Sequence, residues 1–281
     1  MLLAEPVLAA PWRAELALEF ERRAERTVLA SRRHDGPLVF QKPLYPEGDA
    51  ICHGIIVHPP AGIAGGDELH LHANVGEKAH ALLTTPGAAK WYRSAGARAS
   101  SDIRWRVAND AALEWLPQET IIFSGALAAM TTLVSLTGTA RYLGWEILCL
   151  GRTGSGERFD RGEMMATTEI ERDGKPIFID RLRVAADGAM RDSPAGLAGS
   201  PVSATFVAAA EGLDAALVTQ CRDITPPVHG EGAITRLPGV VVARYLGTRS
   251  DAAREWFTRL WTVLRPAILQ REAIEPRIWR T

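Results

Sequence analysis

Apolar and polar residues alternate along much of the first two-thirds of the chain, with the period of two that half-buried β-strands show. Leu16, Leu18 and Phe20, for example, alternate with smaller or polar residues. Asp173-Gly174 separates two such segments and is a strong hairpin signal. Segments at roughly ten-residue spacing are typical of a large sandwich, a barrel or a helical stack of sheets. Among the predicted strands are residues 131–136, 144–150, 164–172 and 176–184.

Helical spacing of apolar residues appears only in the C-terminal third of the chain. One helix is predicted over residues 213–222. A second is predicted to begin at Ser250, a good N-cap, and to carry Trp256 and Leu260 on its apolar face. Pro266 is expected to end or kink it. The predicted fold is therefore mostly β, with two late helices.

The chain reads as one domain over residues 1–281. Residues 1–14 are weakly apolar and are predicted to be a flexible lead-in, not a signal peptide. Residues 185–201 are rich in Gly, Ala, Ser and Pro and predict a long, mobile loop.

Charge and cysteine content narrow the classes of function. The formal net charge is −1, and basic residues form no stripe with aromatic residues, which argues against nucleic-acid and membrane partners. The chain has 3 cysteines and no CxxC motif, a sparse set that is typical of a reducing compartment. We therefore expect a cytoplasmic protein.

Residues 58–69 form a segment dense in glycine, proline and carboxylates, which we call the Gly/Pro corner. Pro59 and Pro60 lack backbone donors, so the preceding strand must stop there. The glycines of the corner allow positive φ and close approach of another backbone, and the corner ends by presenting two adjacent carboxylates. These residues are Gly62, Gly65 and Gly66, followed by Asp67 and Glu68.

Several side chains near the corner have the chemistry of metal ligands. His70 and His72 are two residues apart on a predicted strand and therefore share a face, although a solvated strand face explains them as well. The carboxylates of Asp67, Glu68 and Glu114 suit a divalent cation or a proton. They suit equally well a role as acceptors of backbone N–H bonds in turns.

Other motifs give weaker signals. Residues 90–93 combine positive charge with aromatic area, a mixture enriched at protein interfaces, although an ordinary loop with Trp91 turned inward has the same composition. Residues 151–156 look like a phosphate loop but lack its Gly-Lys-Ser/Thr ending, so a hairpin loop is favoured. The chain has no G-x-S-x-G nucleophile elbow.

Five motifs, taken together and in order, resemble those of the urease accessory protein family UreD, called UreH in some organisms. They are HPPAGIAGGD, TTPGAAKWYRS, LEWLPQETIIF, EILCLGRTGSGERF and PRIWRT. The resemblance extends from about Leu16 to Thr281. One departure is Ala61, which stands where the family usually has a second glycine after the prolines and which fits only if φ there is negative.

The resemblance implies a β-rich fold of stacked, helically arranged sheets with a pair of helices. It also implies a maturation chaperone that is not an enzyme. Such proteins bind the accessory protein UreF, which recruits the GTPase UreG, and they dock on apo-urease. Nickel is thought to reach the urease active site through an internal tunnel. The resemblance therefore implies no tightly bound cofactor and a transiently bound Ni²⁺ ion.

Site residues follow from this resemblance as hypotheses. Asp67, Glu68 and Glu114 are expected to line or flank the nickel path, with His58 as a transient ligand. The expected partner contacts are Lys90, Trp91, Tyr92, Arg93, Trp256, Leu260, Ile278 and Trp279, although a helical apolar stripe such as that of Trp256 and Leu260 more often belongs to a core.

Two rival functions remain at this stage. A β-rich metal-dependent hydrolase would use His70 and His72 with Asp67 or Glu68, and would hold a stoichiometric metal. A purely structural adaptor would join its partners without any passage of ions.

Overall fold

The computed structural model describes residues 12–60 and 62–280, and β-strands account for most of the regular structure in them. The strands are β1 (Arg13–Arg23), β2 (Arg26–Asp35), β3 (Val39–Phe40), β4 (Cys52–Val57), β5 (Glu68–Val75), β6 (His80–Thr84), β7 (Ala89–Trp91), β8 (Ala99–Val107), β9 (Ala112–Trp115), β10 (Thr120–Ile122), β11 (Leu127–Leu136), β12 (Arg141–Leu150), β13 (Glu163–Arg172), β14 (Lys175–Ala185), β15 (Val202–Ala209), β16 (Gly230–Leu237) and β17 (Val240–Gly247). The α-helices are α1 (Ala215–Arg222) and α2 (Ser250–Leu269), and short 3-10 turns lie at Thr153–Ser155 and Arg277–Arg280.

The strands form two large sheets. Sheet 1 has the order β14-β13-β11-β8-β5-β1-β2. Sheet 2 has the order β16-β17-β15-β12-β9-β6-β4-β3, and β10 joins it beside β12 together with β7. From β4 to β13 the chain passes back and forth between the sheets, and successive strands within each sheet are parallel. The predicted mostly-β fold with stacked sheets and two late helices is confirmed.

The inner faces of the two sheets pack on each other and form the first hydrophobic core. In β5 the side chains of Leu69, Leu71 and Ala73 are buried in this core, whereas His70 and His72 point to the outer face of sheet 1. Sheet 1 therefore shows the alternation of a sheet with one solvated face.

The outer face of sheet 2 is covered by the helices, and a second core lies between them. Strand β12 is buried along nearly its whole length because it contacts a core on each face. Helix α2 places Trp256, Phe257 and Leu260 against this sheet, each at most 1% exposed. No helix in the described ranges is both long and apolar enough to cross a membrane.

Helix α2 differs from the prediction at both ends. The N-cap is Arg249, one residue earlier than predicted, and Ser250 is the first helical residue. Pro266 does not end the helix, which continues to Leu269. The last turn persists because Ile268 and Leu269 are buried in the second core, and the N–H of Gln270 still donates to the Pro266 carbonyl.

The predicted lead-in and loop can be compared with the structure only in part. Residues 1–11 lie outside the described residues, and the last two residues of the predicted lead-in belong to β1, which begins at Arg13 and buries Ala14. Residues 186–201 form turns between β14 and β15, where the N–H of Leu197 donates to the Met190 carbonyl at 2.8 Å. The mobility of this loop stays a prediction.

Candidate functional site

The Gly/Pro corner joins sheet 2 to sheet 1, and its carboxylate Asp67 holds the turn together. Strand β4 ends at Val57, directly before His58 and the two prolines, as predicted. One oxygen of Asp67 accepts from the N–H of Trp12 at 3.0 Å, and the other accepts from the N–H of Ala64 at 2.8 Å. Both oxygens of Asp67 are therefore used by backbone donors, the alternative that the sequence left open.

Two glycines of the corner have roles that a larger residue would not fill. Gly66 adopts φ of +96°, which disfavours a side chain. A Cβ at Gly62 would meet the Tyr92 ring at 1.9 Å, so Gly62 lets that ring pack on the corner. A Cβ at Gly65 would meet Ser94 Oγ at 2.4 Å. The predicted departure at Ala61 falls outside the described residues.

Glu68 points away from Asp67, toward the outer face of sheet 1. Its Oε2 lies 3.7 Å from His70 Nε2, and the His70 and His72 rings stack with centroids 6.4 Å apart. Across residues 12–60 and 62–280, no three His, Cys, Asp or Glu side chains converge as a metal site would require. The histidine pair is therefore half-buried on the outer face of sheet 1 and is not part of a group of three such side chains.

A cavity of about 470 Å³ lies between the two sheets, and His58 lines it at the corner. Most of its wall is apolar and includes Leu71, Trp115 and Met130. Burial lowers the pKa of His58, and the nearby Asp67 carboxylate opposes part of this shift. The imidazole is therefore neutral at neutral pH, the form that binds metal ions.

Polar side chains cross the interior at the far end of this cavity. On sheet 1, Thr132 pairs in register with Thr168, which pairs with Asp180. On sheet 2, Glu146 pairs with Thr205, which pairs with Arg244. The six residues occupy positions that face the other sheet, and we call them the polar belt: Thr132, Thr168 and Asp180 on sheet 1, and Glu146, Thr205 and Arg244 on sheet 2.

The polar belt also lines a second cavity, of about 340 Å³, which lies beside the loop that connects β14 to β15. Glu146, Thr168, Asp180 and Thr205 line both cavities, so the two spaces adjoin at the belt. Threonine is too short to fill the gap between sheets as Leu or Phe does, which explains why space remains there.

Glu146 is the unusual member of the polar belt. Among the described residues, no donor is recorded within hydrogen-bond distance of its carboxylate, and the side chain faces the cavities. Burial and, to a smaller extent, the Asp180 carboxylate raise the pKa of Glu146 to about 7. A carboxylate held in this way costs stability and is available to a cation that enters the cavity.

Glu114 lies on the other face of sheet 2, inside a cluster of ionic groups under α2, and not at the Gly/Pro corner. Its oxygens accept from Trp261 Nε1 at 2.6 Å and from Arg265 Nε at 3.1 Å, and His80 Nε2 lies 2.8 Å away. Glu114 and Arg265 are both 0% exposed. No lone-pair position of Glu114 is left open to a cavity, so the structure does not bring it to the path predicted for nickel.

Arg265 extends this cluster to Glu47, whose two oxygens it contacts at 2.7 Å. Burial alone would raise the pKa of Glu47, but hydrogen bonds from His53 and Arg265 outweigh it and lower this pKa to about 2. Burial would likewise raise the pKa of Glu114, and the contacts with His80 and Arg265 lower it instead. The cluster fixes α2 on sheet 2 through charged groups that all have partners.

The residues predicted to contact partners separate into exposed and buried groups. Tyr92 is 38% exposed, Arg93 is exposed and Lys90 is half-buried, whereas Trp91 is buried in the first core. Tyr92 packs edge-on against Phe123, with ring centroids 5.1 Å apart. The exposed part of this loop remains a candidate interface, and Trp91 has the inward position that the sequence left as an alternative.

The predicted contacts on α2 are corrected by the structure. Trp256 and Leu260 are buried in the second core because their stripe faces sheet 2, so neither presents a surface to a partner. Trp279 is partly buried and donates from Nε1 to Thr84 Oγ1 at 2.8 Å. Ile278 is half-buried beside it in the C-terminal turn.

Sequence reasoning missed the polar belt as a site. Its members are spread over more than a hundred positions, and only the register and packing of six strands bring them together. The available signal was local: Glu146 interrupts the apolar run of β12, and Asp180 interrupts that of β14. Each charge lies at an inward-facing position of its strand.

Comparison with known proteins gives consistent matches over the whole described fold. A model of the family described as UreD urease accessory protein matches residues 13–280. A urease accessory protein UreD of Azoarcus sp. is 55% identical over 270 residues, which cover 96% of this chain and 94% of that protein. The UreD of Dechloromonas aromatica is 51% identical over 282 residues, covering 99% of this chain and 98% of that protein.

The Arg265 cluster predicts a large loss of stability when its centre is removed. Arg265→Met leaves the Glu47 and Glu114 carboxylates buried without their guanidinium, and we expect the free energy of unfolding to fall by about 3–5 kcal/mol. Urea denaturation measures this change. The control is Arg259→Met on the exposed face of α2, for which we expect a change below about 1 kcal/mol. Equal losses for the two variants would contradict the account.

Glu146 predicts a pH-dependent gain of stability on substitution. Because its folded pKa of about 7 lies above the ordinary 4.5, the folded state binds more protons between these values and loses stability as pH rises through that window. Since the side chain faces a cavity, we expect Glu146→Gln to gain about 1–2 kcal/mol at about pH 8 and little at about pH 4. Glu169→Gln, on the outer face of β13, should show no such pH dependence in urea denaturation.

Proposed function

The chain belongs to the UreD family of urease accessory proteins, and on this premise we propose that it passes nickel through its interior during urease maturation. Members of this family are assembly factors of urease and not catalysts. The partners we propose are apo-urease, the accessory protein UreF and, through UreF, the GTPase UreG. The three free, buried cysteines fit a reducing cytoplasm.

The observation that carries the proposal is the Glu146 carboxylate, which is half-buried, has no hydrogen-bond donor among the described residues and faces two adjoining cavities. A fold gains nothing from burying such a group, because an apolar residue of similar size would pack without the cost of desolvation. Stability given up at one position is typical of a functional site.

We call the route from His58 through the two adjoining cavities to the polar belt the passage, and its side chains suit an ion in transit. Ni²⁺ accepts imidazole and carboxylate ligands, which are supplied by His58 at the corner and by Glu146 and Asp180 at the polar belt. Each place offers fewer groups than a closed coordination shell needs. Binding is therefore weak enough for the ion to leave, as conduction requires.

Three of the residues expected to line or flank the nickel path do not bind the ion in this proposal. Asp67 shapes the entrance by fixing the turn beside His58, since its oxygens are used by backbone donors. Glu68 lies outside the passage on the outer face of sheet 1. Glu114 stabilises α2 on sheet 2 and does not touch the ion.

Substitution of the belt carboxylate tests the proposed passage. Urease co-produced with Glu146→Gln and all other accessory proteins should contain several-fold less nickel per active site and show correspondingly less activity. Metal analysis of the purified urease gives the result. The matched control is Glu169→Gln, which leaves the passage intact.

In the same experiment, the Glu146→Gln variant should bind its partners as well as the unchanged chain does. Urease with a full nickel content from this variant would contradict the passage and favour a purely structural adaptor.

The exposed loop beside the corner generates a second prediction, on partner binding. Tyr92→Ala removes an exposed aromatic side chain next to Lys90 and Arg93, and we expect it to weaken binding of UreF or apo-urease by about 1–3 kcal/mol. Titration calorimetry or a quantitative pull-down measures the affinity. Ile179→Ala, which removes an exposed apolar side chain from the edge strand β14, is the control. Unchanged binding of both partners to Tyr92→Ala would remove this loop from the interface.

A further inference from the structure

An ion pair between Arg244 and Asp180 joins the two sheets at one end of the polar belt. Arg244 Nη1 donates to Asp180 Oδ2 at 2.9 Å. Arg244 lies on β17 of sheet 2, and Asp180 lies on β14, the edge strand of sheet 1. The pair therefore spans the gap between the sheets where the sandwich has a free edge.

The two partners of this pair relate differently to the cavities. Asp180 lines both cavities, whereas Arg244 lines only the second. The guanidinium is thus placed on the side of the second cavity, beside the belt carboxylates. A cation that moves between the cavities past Asp180 must compete with Arg244 for the same carboxylate.

The exposure of the pair makes it easy to break. The Arg244 side chain is 52% exposed and that of Asp180 is 24% exposed, so water solvates both groups when they separate. The Arg265 cluster shows the opposite arrangement, because its arginine is 0% exposed and has no solvated alternative. The Arg244–Asp180 pair is therefore far easier to separate than the contacts of Arg265.

We propose that Arg244 is a displaceable latch on the passage: a divalent cation at Glu146 and Asp180 replaces the guanidinium, which returns when the ion leaves. The inference rests on the proposed function and adds its regulation. A divalent cation carries twice the charge of a guanidinium and repels it, so the two do not share Asp180. Competition with Arg244 keeps the bound ion from being trapped.

The latch predicts tighter metal binding when it is removed. Arg244→Met frees the Asp180 carboxylate, and titration calorimetry of the whole protein with Ni²⁺ should give a dissociation constant at least about tenfold lower than in the unchanged chain. Arg244→Lys keeps a displaceable cation and should bind Ni²⁺ within about threefold of the unchanged chain.

The matched control is Arg183→Met. Arg183 lies on the same strand as Asp180 but points outward and pairs with Glu163 at 3.0 Å. Its removal should not alter the Ni²⁺ affinity. Adding Asp180→Asn to Arg244→Met should abolish the gain in affinity, because the freed carboxylate is then absent.

Failure of the latch can be told apart from failure of the passage. If Arg244→Met binds Ni²⁺ no more tightly than Arg183→Met while Glu146→Gln still lowers the nickel content of urease, the latch is wrong and the passage stands. If Glu146→Gln leaves the nickel content unchanged, the passage itself is wrong. If Arg244→Met does not fold, Arg244→Gln supplies the test, because it also removes the guanidinium and the latch predicts that it binds Ni²⁺ more tightly than the unchanged chain.

Discussion

The face-to-face packing of the two sheets is the constraint on which the rest of the structure depends. Over most of their area, alternating apolar side chains fill the space between the sheets, which in such packings is about 10 Å thick. At the polar belt, Thr132, Thr168 and Thr205 occupy inward positions and do not fill it. The cavities, and the exposure of Glu146 to them, follow from that local failure of packing.

The two faces of sheet 2 have opposite electrostatic arrangements. Under α2, Arg265 gives every buried carboxylate a partner and fixes the helix on sheet 2. On the inner face, Glu146 has a raised pKa because burial is not offset by a cation. The charged groups under α2 therefore have partners, whereas the face toward sheet 1 retains a carboxylate whose charge is available for a passing ion.

The fold was predictable to the extent that it depends on local patterns. Alternation in strands such as β1 and β5, and helical spacing in α2, predicted the mostly-β architecture and the late helices. Of the two effects predicted for Pro266, an end of the helix is wrong, because burial of the last turn outweighed the local cost of the proline. The position of the Gly/Pro corner was predicted correctly. The role of Asp67 was not, because one of its two hydrogen bonds comes from the N–H of Trp12, which is 55 residues away in the chain.

The site was less predictable than the fold. Glu114 looked like a companion of Asp67 because both are carboxylates near glycine or proline, yet the two faces of sheet 2 separate them. The belt exists only through strand register and sheet packing. Glu146 and Arg244 are aligned through Thr205 on β15, and Arg244 contacts Asp180 across the gap between the sheets. Long-range pairing of this kind leaves no pattern in a window of sequence.

The central claim is that cations occupy the interior between the sheets, and anomalous X-ray diffraction from crystals soaked in Ni²⁺ tests it most directly. The account predicts an anomalous peak between the carboxylates of Glu146 and Asp180, with the Arg244 side chain turned away from Asp180. Peaks confined to the outer face of sheet 1, at His70 and His72, with an empty polar belt at saturating nickel, would contradict it.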